Sequence, residues 1–173
     1  MKEFIIDNLD VLVTIIGFII TYKMTTMAVG DEIRKSKISH NAEMIHALPL
    51  ELCEFMGKIQ KHGNNDARLK DYEKIMSKIL AYGSRDAVNI AVEVQQASYR
   101  TAKTGEDVGQ TLLVLVSLLI TQLKYDISEE IMSPESWFKM KINDYENVRV
   151  KVVSVTIEFI IKFGLNDAFY IEK

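Results

Sequence analysis

The chain has one cysteine, two prolines, eight glycines and one tryptophan among its 173 residues. A lone thiol, Cys53, cannot close an internal disulfide, so no oxidising compartment is implied. So few prolines and glycines cannot punctuate the many tight turns of an all-β sandwich. Basic excess is also missing: 21 Lys and Arg face 24 Asp and Glu, a formal charge of −3. That balance argues against a general nucleic-acid binder, whose footprint is basic. Phosphate-binding glycine loops, a dinucleotide fingerprint and a Gly-x-Ser-x-Gly elbow are all absent. No heptad persists for three repeats with charged flanks, so a dedicated coiled coil is not expected.

What remains is 48% hydrophobic and 26% charged, close to the average of a folded globular protein. That composition argues against disorder and against a multi-pass membrane protein. The length allows one domain, or a modest domain with an appendage.

The hydrophobic residues are unevenly spread. Phe4 to Tyr22 reads FIIDNLDVLVTIIGFIITY, and Val11 to Tyr22 carries no charge. That uncharged run makes ~18 Å of helix, short of the ~30 Å hydrocarbon core. Extending it to Leu9–Val29 gives a full span, with Lys23 snorkelling and Tyr22 in the interfacial belt. The competing readings are a helix packed in a soluble core and a cleaved signal peptide. The signal peptide lacks a basic start, because Glu3, Asp7 and Asp10 outnumber Lys2, and Thr26-Met27-Ala28 is a weak cleavage site. Lys23, Arg34, Lys35 and Lys37 all follow the apolar run, which places the N-terminus outside and the bulk of the chain in the cytoplasm. An unpaired Cys53 agrees with that compartment.

The rest reads as helices. Ile45, Leu48, Leu52, Phe55, Met56 and Ile59 form one stripe, with a kink or restart expected at Pro49 and an end at Gly63-Asn64-Asn65. Leu69, Tyr72, Ile75, Met76, Ile79 and Leu80 form the next. There Gly83 is expected in the left-handed position after the helix, and Ser84 as cap of the following one. Ala87, Ile90, Ala91, Val94 and Ala97 line the helix from about Arg85 to Thr101. Val108 to Ile127 is apolar except for a narrow stripe of Gln110, Ser117, Thr121 and Lys124, which favours a central core helix over a second span. Ser133-Pro134-Glu135 is a helix start. Asn147 to Phe163 carries a strand-like alternation, but no partner strand exists for it and Gly164 stands where a helix ends, so a helix is expected.

Chemistry is sparse. His40, Glu43 and His46 fan across about 120° of a helix instead of converging as an i, i+4 metal pair does. Cys53 lies between Glu51 and Glu54, without the electropositive surroundings of a nucleophile, and reads as a half-buried structural thiol. No catalytic, cofactor-binding or metal-binding residues are assigned, and no cofactor is expected. The densest polar group in the C-terminal half is Lys124, Asp126, Lys139, Lys141, Asp144 and Tyr145, a candidate partner surface.

Several short segments carry a resemblance: Ile-Thr-Tyr22-Lys23 closing the first helix, the basic stalk, Ile-Leu-Ala-Tyr82-Gly83-Ser84, Leu-Leu-Ile-Thr-Gln-Leu-Lys-Tyr-Asp126 and Phe-Lys-Met-Lys-Ile-Asn-Asp144-Tyr145. The chain resembles uncharacterised proteins of Gram-positive bacteria and their phages that carry one N-terminal membrane helix and a small cytoplasmic helical domain. The resemblance implies an architecture and no activity.

The expectation is thus all-α: an anchor and basic stalk over 1–37, then a cytoplasmic bundle of about five helices over 38–173. Such a chain would hold membrane lipid through its first helix and act as an interaction or effector module on an unknown protein partner or on itself. The alternative is a soluble bundle, dimeric or binding a small ligand, with the first helix in its core.

Overall fold

The structure, a computed structural model, describes the backbone of residues 9–62, 66–104 and 108–171, without the side chains of 9–17, 59–62, 66–68 and 104. All regular structure among the described residues is helical: α1 (Leu9–Ile45), α2 (Leu48–His62), α3 (Asp66–Tyr82), α4 (Arg85–Thr104), α5 (Gly109–Ser128), α6 (Pro134–Lys141) and α7 (Tyr145–Phe163), with a short 3-10 turn at Asp167–Phe169. The chain divides into two compact units, 1–40 and 41–173. Among the described residues the second holds six helices besides the end of α1, where about five were expected, and the short α6 begins at the expected Ser133-Pro134-Glu135 start. The expected break at 63–65 lies outside the described residues.

In the unit 1–40, α1 runs without interruption, and its described side chains from Phe18 onward are all exposed. Of the expected Leu9–Val29 span, residues 9–17 have their side chains outside the described set. Among the described residues, the one helix long and apolar enough to cross a membrane is instead mid-chain α5, whose most apolar stretch of 18 residues is 56% buried within the protein.

Helix α5 is the centre of the unit 41–173. It contacts α2, α4, α6 and α7, most extensively α4. Every residue from Val114 to Leu123 is buried, including Ser117, Thr121 and Gln122. Ser117 and Thr121 of the polar stripe therefore face protein, while Lys124 at its end stays partly exposed. Ser117 Oγ donates to the Pro134 carbonyl at 3.2 Å, tying α5 to the first turn of α6. Thr121 Oγ1 and Trp137 Nε1 are buried with no hydrogen-bond partner among the described residues. Each such group subtracts from stability, because desolvation is not offset.

Local chemistry explains most boundaries. Pro49 sits in the first turn of α2, after a turn at His46-Ala47, as a residue without an N–H donor should. Ser133 accepts from the Glu135 amide at 3.2 Å, with Pro134 opening α6. Ser84 Oγ accepts from the Ala87 amide at 3.2 Å and caps α4. Helix α7 ends at Gly164, whose φ of 62° lies in the left-handed region. The helical reading of 147–163 holds: Val152, Val153, Thr156, Phe159 and Ile160 face the core at helical steps. Gly83 departs from expectation. Its φ is not positive; the Gly83 amide still bonds the Ile79 carbonyl at 2.8 Å, one more helical step, before the chain turns at Ser84. Leu69 and Leu80 depart too, being 51% and 71% exposed, while Ile75 and Ile79 carry the buried side of α3.

Candidate partner surface

The six polar residues singled out from the sequence separate into two places. Lys139, Asp144 and Tyr145 line one shallow depression of about 440 Å³ at the α6–α7 corner, with Ile142, Asn143 and Asn147. Lys141 is exposed beside it on α6. Lys124 and Asp126 instead lie at the C-terminal end of α5. Lys124 pairs with Glu130 at 3.4 Å. Asp126 accepts from Gln122 Nε2 at 2.8 Å. Burial raises the Asp126 pKa, against hydrogen bonds from Ser84 and Gln122 that lower it. Asp126 thus fastens the end of α5 to the capped start of α4, a structural task.

The α6–α7 corner is organised by Glu135, which sequence reasoning saw only as a helix-start acid. Its Oε1 accepts from Tyr145 Oη at 3.1 Å and from Arg149 Nε at 2.9 Å, and its Oε2 lies 3.5 Å from Lys139. Partial burial pulls the Glu135 pKa up, but Arg149, Tyr145 and Lys139 together outweigh it, so the carboxyl sits below its ordinary value of 4.5. Tyr145 is pushed up to about 12, by burial first and the Glu135 hydrogen bond second. The signal in the sequence was too thin to find this: Arg149 lies 14 residues from Glu135 and on another helix.

A depressed folded-state pKa means the Glu135 contribution is complete above about pH 4.5 and is lost as pH falls through the lower folded value. Glu93 behaves alike. Its pKa is lowered chiefly by Lys162, at 2.7 Å, with help from Arg100 at 2.9 Å. Acid titration of stability should therefore be shallower in Glu135→Gln than in the natural chain, and shallower again on adding Glu93→Gln. Urea midpoints measured from pH 6 down to about pH 3 check this. An unchanged slope in the double variant would exclude both carboxylates as the source.

Two surfaces were not foreseen. Met76, Ile79, Leu80, Val88, Ala91 and Val92, with Ser77 and Gln95, line a mainly apolar groove of about 230 Å³ between α3 and α4. Leu80 and Val92 stand at its rim largely exposed. On the opposite flank of α3, Lys78 bridges to both carboxylate oxygens of Glu51, at 2.7 and 3.0 Å, and Phe55 stacks on Tyr72 with ring centres 5.6 Å apart. His40, Glu43 and His46 are all exposed, and no cluster of three or more metal-ligating side chains exists among the described residues. Cys53 is half-buried.

Compared with known proteins, the chain matches no family, no curated protein and no solved structure.

Proposed function

We propose that the chain is a membrane-tethered helical protein whose unit 41–173 is an interaction or effector module at the cytoplasmic face. The observation that carries this reading is α1: Phe18, Ile19, Tyr22, Met24 and Met27 are each more than 60% exposed along one uninterrupted helix. A row of large apolar side chains in water is unfavourable by about 25 cal/mol for each Å², and lipid over Leu9–Val29 removes that cost. Arg34, Lys35 and Lys37, all exposed, lie beyond the end of that segment, and with exposed Lys23 inside its C-terminal part they support an N-terminus-out orientation. The resemblance to small membrane-anchored proteins of Gram-positive bacteria and their phages fits the same reading. Within 41–173, the α3–α4 groove is the apolar surface that a partner-binding role would use.

The test is fractionation of cells expressing the native chain. Full-length protein should stay in the pellet after carbonate extraction, and a chain lacking residues 4–37 should move to the soluble fraction. Recovery of the full chain in the supernatant as a monodisperse species would favour the soluble alternative and end the tether reading.

A further inference from the structure

Helix α1 carries a second pattern on the face turned away from Lys35. Tyr22, Thr26, Val29, Ile33 and Ser36 follow one another at alternating steps of four and three, the a and d spacing of a two-stranded seam. All five are exposed, with Tyr22 at 73%, Val29 at 48% and Ile33 at 52%. Thr26 suits a close approach, because its hydroxyl is already satisfied by the Tyr22 and Lys23 carbonyls of its own helix, each at 3.0 Å. The seam is shorter than three heptads, which is why periodicity alone does not single it out.

Its flanks are charged with opposite signs. Glu32 precedes Ile33 and Lys37 follows Ser36, so Glu32 is a g position and Lys37 the next e position. In a parallel pair, g of one helix meets the following e of the other, five residues on. Both side chains are exposed, and neither is ion-paired among the described residues. An antiparallel pair centred on Gly30 would set Lys23 against Lys37 of the second copy, a repulsive contact. Parallel alignment is also the one that two chains anchored by the same end share.

We infer that α1 is a homodimerisation helix, pairing in parallel with a second copy of this chain through Tyr22, Val29 and Ile33, with reciprocal Glu32–Lys37 ion pairs setting the register. The seam is too short to hold strongly from dilute solution. Confinement to a membrane plane raises the effective concentration of the second copy, so its strength in the cell rests on the tether proposed above.

The experiment uses the full chain in membranes, with Cys53→Ser as background and mild oxidation as the readout. Val29→Cys and Ile33→Cys should form disulfide-linked dimers at about ten times the yield of Lys35→Cys, whose Cα atoms in the pair are too far apart to bridge. Added to the Ile33→Cys chain, Glu32→Lys or Lys37→Glu alone should lower the yield several-fold, and the two together should restore it. Equal yields at positions 33 and 35, or no recovery in the charge swap, overturns the proposal. The tether fails separately. A chain that stays in the carbonate pellet but does not cross-link at Ile33→Cys loses the seam and keeps the anchor. A chain that is extracted yet still cross-links loses the anchor and keeps the seam.

Discussion

Replacing Phe138 by alanine is expected to destabilise the chain by about 3–5 kcal/mol, the usual cost of emptying a fully packed aromatic site. Phe138 has no exposed surface. Its ring meets Trp137 edge-on, with centres 5.9 Å apart, and lies stacked against Tyr145 at 6.2 Å. It therefore packs α6 against Tyr145 in the first turn of α7, the same residue whose hydroxyl donates to Glu135. Truncation leaves a void that neither neighbour can fill, because Trp137 is itself 1% exposed and the Tyr145 hydroxyl is held by Glu135. Trp137 is the single tryptophan, so its fluorescence reports the site directly. Urea titration should show the midpoint falling and the native emission shifting to the red. A loss below about 1 kcal/mol would mean the corner does not hold the two helices together.

Gly83→Ala should also destabilise, by about 1–3 kcal/mol, although glycine-to-alanine changes at compatible sites stabilise by up to about 1 kcal/mol. The reason is proximity and not backbone angle. A Cβ on Gly83 would stand 2.6 Å from the Ile79 carbonyl oxygen and 3.3 Å from the Ile79 side chain. That carbonyl already receives the Gly83 amide, and Ile79 is completely buried, so neither atom can retreat cheaply. The turn would have to open, pulling Ser84 away from the Ala87 amide that it caps and from Asp126. The same denaturant titration, compared with Gly164→Ala as a control for a true left-handed glycine, separates the two causes. A Gly83→Ala chain as stable as the natural one would show that the α3–α4 turn adjusts freely.

The helices could be read from the sequence where local chemistry and periodicity agreed. Ser133-Pro134-Glu135 and Gly164 marked boundaries because a cap and a left-handed residue act within one turn of the chain. The Asn147–Phe163 segment resisted a simple reading because its β-branched residues alternate. It is helical because no second strand exists among the described residues to satisfy its backbone, a condition set outside the segment. Leu69 and Leu80 illustrate the opposite error: periodicity placed them on the buried stripe of α3, but Leu69 precedes Tyr72, the first packed residue among those described, and Leu80 stands exposed between buried Ile79 and half-buried Tyr82. The candidate surface was legible only in part. Tyr145, Lys139 and Asp144 do share a corner, whereas Asp126 serves the α4–α5 junction and Lys124 pairs with Glu130 just past α5. Glu135 and Arg149 meet only through the turn between α6 and α7, and no local pattern announces such a pair.

The polar residues enclosed along α5 bear on how the protein is made. This helix is apolar enough to be taken for a membrane segment as it emerges during synthesis. Ser117, Thr121 and Gln122 each raise the cost of leaving it in lipid, and α2 and α4, which cover much of its surface, have already been synthesised when it appears. Only the sides later closed by α6 and α7 must wait, and those are the sides where Ser117 finds the Pro134 carbonyl. The order of the helices along the chain thus gives the most hydrophobic one a waiting shelter, and its hydroxyls bias it towards protein before the last two helices arrive.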